Sequence, residues 1–247
     1  MSPRLLPWQQ RWPVALAGSL LPSSCALCHI GCDGALCAAC QQRYAPPRTA
    51  CCRRCANPMA ARDAFWECGA CQSGQPAFDA TVAAADYAAP LDQLVLELKF
   101  GGMLALAPWF ARMIGDAVVA RAGVELPNIL CPVPLGPGRL VERGFNQALE
   151  IARPLSKRLG IPLKAALAIR ALDTAAQSSV APAQRRHNIR NAFIVAPDAL
   201  ALVRGQHIGV VDDVMTSGAT LHELAATFKR FGAARVSNFV FARTPPH

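Results

Sequence analysis

Residues 207–220, His-Ile-Gly-Val-Val-Asp-Asp-Val-Met-Thr-Ser-Gly-Ala-Thr, constrain the fold of this chain more than any other stretch. Ile208, Val210 and Val211 make a short apolar run of the kind that fills a strand covered on both faces. Two carboxylates, Asp212 and Asp213, come next, followed by a small polar loop of Thr216, Ser217, Gly218, Ala219 and Thr220. From Leu221 the apolar residues fall at helical spacing, and Leu221, Leu224, Ala225, Phe228 and Phe231 make one face. The stretch reads as a buried strand, a loop and a helix.

Such a connection points free backbone N–H groups and the positive end of a helix dipole at one spot, where a phosphate binds well. The paired acids before the loop suit a vicinal diol, because each carboxylate accepts hydrogen bonds from adjacent hydroxyls, and they can hold a water of a Mg²⁺ shell. A phosphate on the loop and a diol on the acids describe a ribose 5-phosphate. The stretch resembles the signature of type I phosphoribosyltransferases, whose loop binds phosphoribosyl pyrophosphate (PRPP). The resemblance implies a mostly parallel α/β sheet with helices on both faces. It makes Asp212 and Asp213 the candidate catalytic pair and residues Thr216 to Thr220 the candidate 5′-phosphate loop.

The other strong pattern is cysteine. Ten of the eleven cysteines precede residue 72, and four C-x₂-C pairs stand out: Cys25/Cys28, Cys37/Cys40, Cys52/Cys55 and Cys68/Cys71. Each pair can sit on a tight knuckle and present two thiolates to one tetrahedral ion, as in zinc ribbons. Sequential pairing closes the shortest loops and costs least entropy; a crossed arrangement is the alternative. Two structural zinc ions are expected, since so small a segment has little core and Cys₄ leaves no open position for hydrolysis. Cys32 and Cys51 are left over, and Cys51 lacks the two-residue spacer before Cys55 that Cys52 has. Without a credible signal sequence, a reducing cytoplasm is the expected compartment and disulfides are not.

At 247 residues the chain has room for one large α/β domain and a small appendage. No apolar run reaches the length of a membrane span. The formal charge of +9 is uneven: residues 133–190 hold ten Lys and Arg against three acids. Cationic character therefore gathers where a polyanion such as PRPP would sit, without excluding nucleic acid. The expected organisation is an N-terminal arm or short helix over 1–24, a double zinc-ribbon module over 25–76 and the α/β domain over 77–247.

Along that domain, 79–87 reads as a strand, Leu91, Leu94, Val95 and Leu98 as a helix face, and Pro108 to about Arg121 as a second helix. Lys99 and Phe100 either face the site or cap and pack. Residues 128–135 predict a strand aimed at a loop of Gly136, Pro137, Gly138, Arg139 and Arg143, with a helix at about Phe145–Leu159 after it. Arg139 and Arg143 are candidates to bind pyrophosphate bidentately, the plain alternative being two solvated arginines at a helix entry. The polar, basic segment 170–193 reads as a mobile loop closing over the reacting pyrophosphate, with Arg170, Gln177 and Arg186 as candidates, or as an exposed loop with a basic helix. A last strand is expected at about 234–242.

Taken together, the C-x₂-C pairs, Ala85-Asp86-Tyr87, Leu98-Lys99-Phe100, Val133-Pro134-Leu135, Arg143 to Gln147, Arg170 with Thr174 and Gln177, Arg186 to Phe193 and the Val211-Asp212-Asp213 loop resemble the ComF family (ComF/GntX-type proteins). That resemblance implies natural competence, with single-stranded DNA uptake or processing beside competence helicase and recombination partners. Two functional classes follow. One is an enzyme moving ribose 5-phosphate from PRPP, with Mg²⁺, to an unidentified acceptor. The other is a non-catalytic adaptor that contacts single-stranded DNA and competence proteins through the zinc module and basic loops.

Overall fold

The computed structural model describes residues 24–60, 67–121, 123–171 and 192–245. The expected arm at 1–24, except Ser24, and the loop candidates Gln177 and Arg186 lie outside the described residues. Four strands form one parallel sheet: β1 (Ala80–Asp86), β2 (Ile129–Pro132), β5 (His207–Met215) and β6 (Arg235–Arg243), in the order β1-β6-β5-β2. A separate antiparallel pair joins β3 (Ala168–Arg170) to β4 (Phe193–Val195).

The two innermost strands, β5 and β6, are buried along almost their whole length because helices cover both faces. On one face lie α3 (Leu91–Lys99), α4 (Leu106–Ala120) and α6 (Gln147–Leu159). Leu98, Phe110, Ile114 and Leu155 pack there with Val211 and Phe241, and the Phe110 and Phe241 rings stack at 3.8 Å. On the other face α8 (Ala219–Arg230) sets Leu221, Leu224 and Phe228 against Val210, Val236 and Val240. Phe231, expected on that helix face, falls at the helix C-cap and is exposed.

The cysteine-rich residues, with α1 (Ala38–Tyr44) and α2 (Gly69–Gly74), have no separate core. Cys25, Leu36 and Cys40 join the cluster under α4, whereas Cys52, Cys55 and Cys71 join the cluster under α8. Each half of the module extends the apolar layer on one face of the sheet.

The loop expected over 136–143 is instead a two-turn helix, α5 (Pro137–Arg143). Pro137 stands at its start, where a missing N–H costs nothing, and Gly144 ends it with φ 79° in the left-handed region. The next helix consequently begins at Gln147, not Phe145. Asn146 caps it, its side-chain oxygen accepting from the N–H groups of Ala148 and Leu149. A four-residue helix, α7 (Leu200–Val203), leads into β5.

Candidate functional site

Strand β5 carries Asp212 and Asp213 toward the C-terminal end of the parallel sheet. Asp213 is buried and meets two partners from other elements. Lys99 Nζ, at the last turn of α3, lies 2.5 Å from Asp213 Oδ2. Gln147 Nε2, in the first turn of α6, donates to Asp213 Oδ1 at 3.1 Å. Arg143 donates in turn to Gln147 Oε1 and stands over the Phe100 ring, its guanidinium carbon 5.1 Å from the centroid. The network runs α5, α6, β5, α3, so four elements share one carboxylate.

Asp212 is half-buried, and its Oδ1 accepts the backbone N–H of Asp213 at 2.9 Å. Burial, then the adjacent Asp213 charge, push its pKa well above the usual carboxylate range. Burial alone would lower the Lys99 pKa, but the Asp213 charge beside it raises it, so Lys99 stays a cation. Burial lowers that of Arg143, with Arg139 adding to the effect and Asp213 opposing it. Asp212 therefore titrates above the ordinary carboxylate range, next to a carboxylate that Lys99 pairs.

Past Met215 the chain turns through Thr216 and Ser217, both exposed, to Gly218, which opens α8. Gly218 has φ 79°, and an added Cβ would come within 2.6 Å of Met215 Cε, so any side chain there is both strained and crowded. No side chain caps α8. The backbone N–H groups of Ser217, Gly218 and Thr220 have no partner among the described residues, and the free end of the α8 dipole adds a positive potential at the same place. This is the arrangement of donors a phosphate oxygen needs.

Of the expected site residues, the structure brings Asp212, Asp213, the Thr216 to Thr220 loop and Arg143 to this end of the sheet. Arg139 sits one turn before Arg143 on α5, half-buried. Arg170 is not in a loop: it pairs across from Phe193 in the β3–β4 ladder, is buried, and stacks its guanidinium over that ring at 5.5 Å. Cross-strand packing of a long side chain on an aromatic face accounts for its position. Lys99 and Gln147 are the partners of Asp213 that periodicity did not single out, although each stands in a stretch that drew notice.

The cysteines form two groups, Cys25, Cys28, Cys37, Cys40 and Cys52, Cys55, Cys68, Cys71, with the sulfurs of each within 4.8 Å of one another. All are free thiols. The pairing is sequential. Sulfurs ~2.3 Å from a tetrahedral Zn²⁺ stand roughly 3.8 Å apart; Cys28 Sγ and Cys37 Sγ are 3.7 Å apart, Cys55 Sγ and Cys68 Sγ 3.6 Å. Backbone N–H groups of Cys40 and Cys68 donate to Cys37 Sγ and Cys52 Sγ. Hydrogen bonding from Cys55 pulls the Cys52 thiol down to about 4, while Cys25 falls to about 6 because backbone donors outweigh its burial. Burial pushes Cys40 and Cys71 up to about 12. Four crowded thiols cannot all ionise without a cation, so the donor set and geometry fit a zinc-type ion. Cys32 and Cys51 stand outside both groups.

Residues 146–246 match the phosphoribosyl transferase domain. DNA utilization protein YhgH of Escherichia coli O157:H7 is 34% identical over 231 residues, covering 91% of this chain and 98% of that protein. Competence protein F of Haemophilus influenzae is 31% identical over 183 residues, covering 71% and 78%. Among solved structures, the glutamine PRPP amidotransferase of B. subtilis aligns at 17% identity and a TM-score of 0.38 with 56% of this chain, which spans 26% of that enzyme. Near-complete cover by the curated relatives, a phosphoribosyl transferase domain and two four-cysteine groups ahead of a parallel α/β sheet show that this chain belongs to the ComF family.

Proposed function

We propose that the chain binds a ribose 5-phosphate ligand, PRPP in particular, with Mg²⁺ at the tip of β5, and that it serves DNA utilization in natural competence through that site. The observation that carries the reading is the continuity of a phosphate-accepting turn with an acid pair, one member of which Lys99 and Gln147 already hold in place. In this reading Asp212 and Asp213 accept the ribose hydroxyls, residues Thr216 to Thr220 take the 5′-phosphate, and Arg139 and Arg143 face the pyrophosphate. Bound Mg²⁺ would offset the charge of the pyrophosphate, with the acids orienting its water shell. Transfer of the ribosyl group develops positive charge at its anomeric carbon, so fixed carboxylates and positioning supply the catalysis. Zinc in the two cysteine groups is structural.

The names carried by the relatives, DNA utilization protein and competence protein, support the biological role. Calorimetry with PRPP and Mg²⁺ tests the site: binding by the wild type and its loss in Asp212→Asn/Asp213→Asn is the expected result, and equal binding by both proteins would sink the proposal. The cationic excess over 133–190 favours a second reading, an adaptor for single-stranded DNA. PRPP binding without pyrophosphate release across a panel of bases, together with DNA affinity that falls steeply with salt, distinguishes it from the enzyme.

A further inference from the structure

We propose that the cavity between the second cysteine group, α4 and the outer edge of β1 is a separate binding site for a phosphomonoester that carries a flat apolar ring. The space is about 570 Å³, the size of a small-molecule pocket. No residue of the acid pair or of the phosphate loop lines it.

Its charge is one-sided. Arg48, Arg53 and Arg121 line it against a single carboxylate, Asp116, which is already paired with Arg158 at 2.5 Å. Arg48 is the anchor. Its side chain is only 8% exposed, Nε donates to Asp86 and Nη2 to the Ala56 carbonyl, yet the buried Nη1 has no partner among the described residues. An unpaired guanidinium N–H out of water is costly, and a small rotation of the side chain that turned Nη1 to an anion in the cavity would remove that cost. Arg121 is tethered to the strand edge, donating to the Thr81 carbonyl at 2.6 Å. Arg53 is exposed and its guanidinium has no acidic partner among the described residues.

Three guanidinium groups match the charge and multiple acceptors of a phosphomonoester better than those of a lone carboxylate. The floor sets the rest of the ligand. Ala84 of β1 and Ala117 and Ala120 of α4 are all short, leaving a shallow apolar surface on which a ring can lie. Among the described residues β1 ends the sheet and no further strand covers this side.

Phenyl phosphate, which has no ribose hydroxyls for the acid pair, is the probe. Titrated calorimetrically into the metal-loaded full chain, it should bind one-to-one, more tightly than inorganic phosphate. Affinity should fall about tenfold or more in Arg53→Glu and in Arg48→Gln, with PRPP binding unchanged in Arg53→Glu. Arg53→Glu alters an exposed side chain and decides the matter if Arg48→Gln does not fold. Unchanged affinity in the variants, or a probe bound no more tightly than inorganic phosphate, overturns the proposal. So does an oligonucleotide that loses affinity in Arg53→Glu when phenyl phosphate shows no saturable binding.

Discussion

Arg243, at the end of β6, donates from Nε to the carbonyl of Cys55 at 3.1 Å. Its Nη1 donates to the Met215 carbonyl at 3.1 Å and to those of Thr216 and Thr244. One buried guanidinium therefore ties the knuckle of the second cysteine group to the first residues of the phosphate loop. Whatever holds that knuckle in shape also holds the loop.

Replacing Arg243 by Ala should leave these carbonyls without their donor and cost about 2–3 kcal/mol of stability, the worth of a charge-assisted hydrogen bond or more. Lysine cannot span both anchors and should recover little. Denaturant midpoints measure the first effect. PRPP affinity measures the second, which should fall with Arg243→Ala even where the protein remains folded. Stability lost with PRPP affinity intact would show that the strut does not shape the loop.

The pairing of Lys99 with Asp213 makes a sharper test. Lys99→Met leaves a buried carboxylate with only Gln147 as a donor, and breaking such a pair costs about 3 kcal/mol. Adding Asp213→Asn to Lys99→Met should restore part of that loss, since the charge needing compensation is gone. The double variant is then less damaged than the sum of the single ones. Additive losses by urea denaturation would mean that the two side chains are energetically independent despite their contact.

How far the chain could be read without coordinates follows from how far apart in sequence the interacting residues lie. The Val210–Thr220 site was readable because strand, acids, loop and helix are contiguous and each has a local signature. The C-x₂-C groups were readable because a tetrahedral ion imposes its spacing on the chain. Lys99 and Gln147 come from helices whose periodicity shows which side is buried but not which carboxylate waits there. Arg170 looked like loop because its neighbours are polar; its ladder with Phe193 depends on a partner strand more than twenty residues away. Arg243 is an unremarkable strand terminus until the fold places Cys55 beside it. The helix over 137–143 was hidden by a Pro-Gly start that resembles a turn.

Acidity gives a prediction with a definite sign. Asp212 has its pKa raised in the folded protein by burial and by Asp213. The folded state therefore binds a proton that the unfolded chain releases near pH ~4, so stability from this group is full below that pH and is lost as pH rises toward the raised value. Zinc-loaded protein freed of Mg²⁺ should lose stability across that interval. Asp212→Asn should flatten the profile and be more stable than the wild type above it. Denaturation midpoints across the acid range check this, and parallel profiles for the two proteins would remove Asp212 as the cause.

The cysteine groups predict unequal consequences of metal loss. Elemental analysis should find close to two zinc ions per chain, and each ion can contribute on the order of 10 kcal/mol to folding. A Cys28→Ser variant opens the group that packs under α4, where Trp109 Nε1 and Arg112 both donate to Gln41 Oε1 from the helix that follows Cys37. A Cys68→Ser variant opens the group whose Cys55 carbonyl holds Arg243. Both should lose an ion and melt at lower temperature. Only the second should weaken PRPP binding at temperatures where it is still folded, because only that group is joined to the loop through Arg243. Calorimetry on both variants beside their metal content makes the comparison, and an equal loss of affinity in the two would mean that the metals act on the fold as a whole instead of through this one side chain.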